Sequence, residues 1–431
     1  MAITSVSSSA KVSASPGGNY RSAFAMVTTL FFMWGFLTSL NDILIPHLKA
    51  VFDLDYTKAL LIQFAFFSSY AAFGVPSGKI VEWIGYQRTM VAGLFTMGLG
   101  AVLFIPAASV PSFPLFLAAL IILAAGITAL QVAANPYVSI LGSAQTASSR
   151  LNLTQAFNSL GTTIGPPLGG WLILRGAHKA IENVKALSPE ALQAYRVEQA
   201  STVKMPYLAI TLALVVLGLA IAFYRFPRLD TTREFRPTGG TKGPGIWRYP
   251  HVVLGAVCIF VYVGAEVAIG SFLINYFNQP DIGNISIAAG ANLVPFYWGG
   301  MMTGRFIGSW IMQRFSPAKL LGICAIGATA MVILSMLSTG YVAVWTILLV
   351  GIFNSIMFPT IFTLGVAEMG PLTGEASGLL VTAIVGGAIV PEIEAVLADH
   401  IGLHHAFIVP TLCYVFVAYY AFRGSKIKQP A

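Results

Sequence analysis

"NPYVSILG", residues 135–142, closes one apolar run, and "FPTIFTLG", residues 358–365, closes another; both read Pro-x5-Gly with Leu before the Gly. A second pair of segments, Gly161 to Pro166 and Gly386 to Pro391, repeats at nearly the same offset. Pro136 to Pro359 spans 223 residues and Gly161 to Gly386 spans 225. Two matches at one offset predict a unit duplicated in parallel along the chain.

Composition says what each unit is made of. The 431 residues are 56% hydrophobic and only 9% charged, with a mean hydropathy of +0.78, whereas soluble domains carry roughly 25% charged residues. Crossing about 30 Å of hydrocarbon takes about 20 helical residues. Apolar windows of that length, bounded by charge, Pro or Gly, fall at 24–47, 58–81, 88–108, 113–139, 151–174, 206–226, 250–277, 286–312, 318–338, 341–366, 376–398 and 406–422. The fold class predicted is an all-α membrane protein with twelve transmembrane helices in two six-helix, pseudo-symmetric halves. The first window exceeds a signal-peptide core and lacks a cleavage site, so it is read as a retained helix.

The segment "RFPRLDTTREFRPTGGTKGPGIWRYP", residues 225–250, is the only long polar stretch between the sixth and seventh windows. It sets the expected domains: a disordered cytoplasmic tail over 1–20, a six-helix bundle over 21–226, a cytoplasmic linker over 227–249, a second bundle over 250–423, and a tail over 424–431. The formal charge of +8 is carried by Lys and Arg in loops, which points to topology and away from nucleic acid. Their concentration in 225–248 and in the loops on the same side places both termini in the cytoplasm of a cell membrane, the inner membrane in a Gram-negative bacterium.

Cys258, Cys324 and Cys413 sit inside apolar windows without regular spacing. They are read as small buried hydrophobes, with no disulfide framework or zinc site. His400 and His404 have the i, i+4 spacing of metal ligands, but they fall at a loop between windows, and no metal site is predicted.

Several polar residues stand where lipid should surround the chain. "LTSLNDILIPHL", residues 37–48, puts Asn41 and Asp42 within the first window. An ionised side chain near a bilayer centre costs roughly 2.5–3.5 kcal/mol on insertion scales, so such residues face a bundle interior and serve a function. Gln131 and Asn135 are four apart, and Gln155 and Asn158 three apart, so two windows carry amide-bearing faces. Amides donate and accept, as the hydroxyl ring of a hexose requires, without the desolvation cost of a charge. The alternative for each amide is an interhelical hydrogen bond. Trp34, Phe296, Tyr297, Trp298 and Phe358 offer rings for sugar stacking or for packing. Glu266 lies mid-way along the seventh window, the repeat counterpart of the first. It is a second coupling carboxylate, a sugar ligand or a partner of Arg305. Glu392 and Glu394 follow Pro391 and receive no role. No nucleophile or metal constellation supports an intramembrane enzyme.

"GKIVEWIGYQR", residues 78–88, resembles the signature loop Gly-x3-Asp-Arg-x-Gly-x-Arg-Lys of the major facilitator superfamily. Gly78, Glu82, Gly85 and Arg88 match in kind as a gating loop, while Trp83 and Gln87 depart. "FFMWGFLTSLNDILIP", "LQVAANPYVSILG" with "LNLTQAFNSLG", and "YVGAEVAIGSFLINYF" together resemble the fucose/proton symporter-like family of facilitators, particularly its glucose/galactose transporter branch, over essentially all of 24–423. The resemblance implies cation-coupled symport of a hexose such as glucose or galactose, or of a 6-deoxyhexose such as fucose, by alternating access, with proton or sodium as the only cofactor. A passive facilitator is the alternative. The resemblance implies cation coupling at Asp42 and sugar-site positions at Ser39, Gln155 and Asn158; the chemistry of the residues themselves adds Glu266 as a second coupling candidate and Asn41, Gln131, Asn135 and Phe358 to the sugar site. A family glutamate on the fourth span is Gln131 here, and a family tyrosine on the tenth is Phe358. The partners expected are a sugar and the lipid bilayer, with no nucleic acid, and the protein is expected to be a monomer.

Overall fold

A computed structural model of the chain describes residues 20–52, 56–110, 112–169, 188–201, 203–227 and 245–427. The first half holds α1 Tyr20–Phe52, α2 Tyr56–Ser109, α3 Phe113–Ile140, α4 Ala147–Gly169, α5 Pro189–Ser201 and α6 Lys204–Phe223. The second holds α7 Pro250–Phe277, α8 Ile287–Ala291, α9 Val294–Ile311, α10 Pro317–Leu337, α11 Gly340–Asn354, α12 Met357–Gly365, α13 Thr373–Thr382, α14 Gly386–Ile401, α15 Leu403–Ala406 and α16 Ile408–Tyr419. No strand occurs among the described residues. The expected tail over 1–20 lies outside them apart from Tyr20, and of the linker expected over 227–249 the stretch 228–244 lies outside them, while Ile246–Arg248 forms a short 3-10 turn before α7.

Among the described residues, 9 helical stretches are long and apolar enough to cross a membrane. One of them, Leu61–Ser109, covers 49 residues and is broken at Gly85, whose φ of 82° and ψ of 168° turn the chain back. It therefore crosses twice. The helices α4 and α9 complete the twelve. Both are too polar to stand out by hydropathy, because α4 carries Asn152, Gln155 and Asn158 and α9 carries Arg305.

Two windows read as continuous are interrupted. The eighth is divided into α8 and α9, and the tenth into α11 and α12 at Ser355 and Ile356. Pro359 explains the second break, since a proline has no N–H for the carbonyl four residues earlier. That carbonyl belongs to Ser355, and the Arg305 side chain takes it instead, Nε to O 3.2 Å. The repeat-related Pro136 likewise frees the Val132 carbonyl, which accepts from Ser377 Oγ at 2.8 Å. The prolines of the two quoted segments thus each open a backbone acceptor to a side chain from another helix.

Within the first half, α1 packs on α4 and α2 on α3 and α6; within the second, α7 packs on α12, α14 and α16, and α10 on α11 and α16. The outer face of α6 exposes Leu208, Leu212, Val216 and Leu219, the apolar stripe that lipid covers. The core of the second half is rich in fully buried tyrosines: Tyr262, Tyr276, Tyr297, Tyr414 and Tyr420. A buried phenol needs a partner for its hydroxyl, and those partners build the network described below. Cys258 and Cys413 are buried as expected, whereas Cys324 is only partly so. Gly402, at φ 83°, separates His400 from His404. His404 is engaged by the Tyr276 hydroxyl and the Met336 carbonyl, and His400 by Val396 O.

Candidate functional site

The two halves meet along the end of the bundle that carries the Gly85 turn. There α2 lies against α13 with no side chain between them. A Cβ added to Gly78 would sit 2.7 Å from the Gly374 carbonyl oxygen, and one added to Gly378 2.8 Å from that of Gly74. On the opposite flank α4 meets α9. Ser149 Oγ donates to the Ser309 carbonyl at 2.6 Å, and Ser309 Oγ returns a bond to the Ser149 carbonyl at 2.9 Å. Ser148 and Thr363 pair their hydroxyls at 2.6 Å, and Ser377 reaches Val132 as above.

Of the signature-loop residues, Gly78 and Glu82 belong to this seam, and Gly85 and Arg88 lie at its edge. Gly78 provides the close approach, Gly85 the left-handed turn, and Glu82 lies against the backbone N–H of Glu375 in the first turn of α13, where an anion suits the positive end of a helix. Arg88 is exposed. Gln87, a departure from the signature, donates to the carbonyls of Ile221 and Tyr224 at 2.8 and 2.9 Å, and so closes the end of α6.

Further along the bundle lies a polar layer. Gln131 Nε2 donates to the Tyr70 hydroxyl at 2.8 Å, while its Oε1 has no hydrogen-bond partner among the described residues. Gln155 Nε2, both polar atoms of the Asn135 side chain and both of Asn152 are in the same condition. Asn158 Nδ2 donates to the Phe31 carbonyl on α1 at 2.9 Å, an interhelical bond. Ser39 donates to Phe36 O at 2.8 Å within its own helix. Asn41 and Asp42 lie on α1, and their side chains fall outside the described residues. Phe358 is buried beside Phe362, ring centroids 6.2 Å apart.

Arg305 joins the layer from the other half. It is 7% exposed, and besides Ser355 it donates to the Gln155 carbonyl at 3.1 Å, to the Ser159 hydroxyl and to the Met301 sulfur. Glu266, half-buried on α7, feels the Arg305 charge and lies beside the Tyr262 hydroxyl. The expected pairing of Glu266 with Arg305 is thus electrostatic, since the hydrogen bonds of the guanidinium go to neutral groups. Behind Glu266, Asn354 Nδ2 donates to the hydroxyls of Tyr297 and Tyr414 at 2.9 and 2.8 Å, and Tyr262 donates to Asn354 O at 3.0 Å. Tyr297 is therefore a network residue, and Trp34 packs in the core on Phe31. Tyr70, Ser159, Asn152 and Asn354 were not singled out from the sequence, although each is a polar residue within an apolar window.

A polar layer between duplicated halves, sealed at one end, is the arrangement of an alternating-access carrier. Residues 24–391 match the family model described as Major Facilitator Superfamily. The chain belongs to that superfamily. This facilitator is 49% identical over 408 residues to a Brucella abortus glucose/galactose transporter, covering 95% of each chain. It is 34% identical over 408 residues to the Escherichia coli L-fucose-proton symporter, covering 94% of this chain and 93% of that one. Among solved structures it superposes on the major facilitator FucP in the outward conformation with a TM-score of 0.84, at 34% identity, covering 93% of this chain and 98% of that one.

Proposed function

We propose that this facilitator is a secondary active sugar transporter. It moves a hexose such as glucose or galactose, or a 6-deoxyhexose such as fucose, together with a proton or sodium ion. The observation that carries the reading is the pair of buried amide atoms, Gln131 Oε1 and Gln155 Nε2, in the layer between the halves: one accepts, one donates, and neither is engaged among the described residues. Buried polar atoms are almost always hydrogen-bonded, and a sugar ring supplies hydroxyls that satisfy both kinds. The names of the relatives point to the same substrate class.

In this reading Gln131, Asn135, Gln155 and Asn158 form the sugar-binding side of the first half, with Ser39, Asn41 and Phe358 bordering it. Asp42 carries the cation, by protonation or by coordination, and Glu266 is the second coupling carboxylate, in the other half. With both termini cytoplasmic, the sealed Gly85 end is the cytoplasmic gate and the sugar layer opens outward. The protein acts as a monomer in the cell membrane.

Uptake into proteoliposomes under an imposed proton or sodium gradient, over a panel of hexoses, tests the reading. The expected result is accumulation above equilibrium of at least one sugar with one of the two gradients. Equilibration without gradient dependence would make the protein a passive facilitator.

A further inference from the structure

Glu394 is the one fully buried carboxylate among the described residues, with 0% of its surface exposed, and neither of its oxygens has a hydrogen-bond partner. It lies on α14, one turn beyond Val390, which presses against Gly264 of α7; a Cβ added to Gly264 would come 2.3 Å from Val390 Cγ2. An ionised carboxylate without a hydrogen bond or counter-charge in such surroundings costs several kcal/mol. The carboxylic acid, which is neutral and needs a single acceptor, does not carry that cost.

The groups around it are neutral. Cys413 of α16 and Tyr297 of α9 are the ionisable side chains that sense the Glu394 charge. On α7 the acid is Glu266, turned towards Tyr262 and Arg305. On α15, His404 is engaged by Tyr276 and Met336, and His405 is exposed. On α14 itself Glu392, Asp399 and His400 are exposed. From α2, Tyr70 is held by Gln131, and the side chain of Lys58 is outside the described residues.

One of the two sensing groups leads back to the transport layer. The Tyr297 hydroxyl accepts from Asn354 and donates to the Glu266 carbonyl at 3.4 Å, and Glu266 in turn feels Arg305, which bonds the first half. We propose that Glu394 is a proton-binding site of the second half, loaded in this arrangement and emptied in another as part of the transport cycle. Loading forms one O–H bond on a carboxylate oxygen with a proton from water on one side of the membrane; emptying breaks that bond and returns the proton to water on the other. The charge on Glu394 acts on Tyr297 through space, and Tyr297 holds the Glu266 backbone carbonyl, so the protonation state bears on how α7 and α9 sit against the polar layer. This inference rests on the symport reading and adds a coupling acid in the half opposite Asp42.

The test uses full-length protein in liposomes: wild type, Glu394→Gln, Glu394→Asp and the exposed control Glu392→Gln. Glu394→Gln imitates the loaded acid, so sugar counterflow should persist while proton-driven accumulation falls by about tenfold, within the usual span of a coupling free energy. Glu394→Asp should restore accumulation with a displaced pH midpoint, and Glu392→Gln should follow wild type. Accumulation by Glu394→Gln with the wild-type pH dependence would overturn the proposal. If Glu394→Gln does not fold, an undisplaced midpoint in Glu394→Asp overturns it equally. If wild type itself accumulates nothing, the symport reading has failed, and infrared spectra in D2O decide the proton site separately. A protonated-carboxyl C=O band that responds to sugar, is missing from Glu394→Gln and is displaced in Glu394→Asp supports it, and the absence of any such band from wild type rejects it.

Discussion

Arg305 Nη1 on α9 donates to the Gln155 carbonyl oxygen on α4 at 3.1 Å, so a buried guanidinium ties the two halves of the carrier together at the level of the polar layer. Its Nε simultaneously holds the Ser355 carbonyl at 3.2 Å, the acceptor that Pro359 leaves free. Any opening of the α4–α9 flank must release the first of these bonds. The fork geometry of arginine makes both at once, and a lysine ammonium is a single point of donation.

Arg305→Lys should therefore keep the charge but lose one side of the bridge. A hydrogen bond to a charged group contributes about 1.5–3 kcal/mol, and 1.4 kcal/mol is a factor of about ten in an equilibrium. Spin labels on the Gly85-end tips of α2 and α13 should report a new population at longer distance. An unchanged distance distribution would mean that Arg305 does not hold the seam.

Gly78 faces the Gly374 carbonyl so closely that a Cβ would fall 2.7 Å from it. Gly78→Val should force α2 and α13 apart, with the same spin labels moving apart; if this seam is the cytoplasmic gate proposed above, sugar binding from the outer side weakens as well. Gly85→Ala is the contrasting case. Its added Cβ meets no atom within 4 Å, so only the backbone is strained: φ 82° with ψ 168° is essentially confined to glycine and costs another residue about 1–3 kcal/mol, and the melting temperature should drop without separating α2 from α13. Equal behaviour of the two variants would contradict this division.

Ser149 and Ser309 exchange reciprocal bonds across the halves. Ser149→Ala and Ser309→Ala should each lower stability in thermal unfolding by about 0.5–2 kcal/mol, the range for polar contacts inside membranes, and the two losses should nearly add, because each hydroxyl donates to a backbone carbonyl that alanine keeps. Unchanged unfolding of both variants would show that the pair makes no net contribution.

Much of the architecture was legible in the sequence, and the limits of that reading have physical causes. Hydropathy alone finds 9 stretches; the bounding charges and the internal repeat add α4 and α9, whose polarity belongs to the seam they form. The breaks within the eighth and tenth spans, and the polar helix α5, were not foreseen. Periodicity correctly placed Gln131 with Asn135 and Gln155 with Asn158 on common faces, since helical spacing is a local property. It does not set how one helix is rotated against another. Tyr70 meets Gln131 from 61 positions away and Arg305 meets Ser159 from 146, and no local pattern encodes either pairing. The Asn354 cluster was missed for the same reason, as its tyrosines come from three other helices.

Gln131 donates to the Tyr70 hydroxyl at 2.8 Å. In Gln131→Glu an ionised carboxylate must accept from Tyr70 instead, reversing that bond. The new buried acid should add a limb to the pH profile of uptake, with activity falling as pH rises through its ionisation. Preference between hexose and 6-deoxyhexose should change as well. Superimposable profiles for both sugars would place Gln131 outside the sugar layer.

The central claim is that a cation bound at an intramembrane acid drives sugar through the layer between the halves. It is tested most directly by Asp42→Asn in proteoliposomes, with gradient-driven accumulation and sugar counterflow measured on the same preparation. The account predicts that the variant exchanges sugar across the membrane yet loses all accumulation above equilibrium, because an amide at position 42 can neither gain nor lose the proton or charge that couples the two fluxes. Accumulation by Asp42→Asn at the wild-type level, under the same gradient, would contradict it.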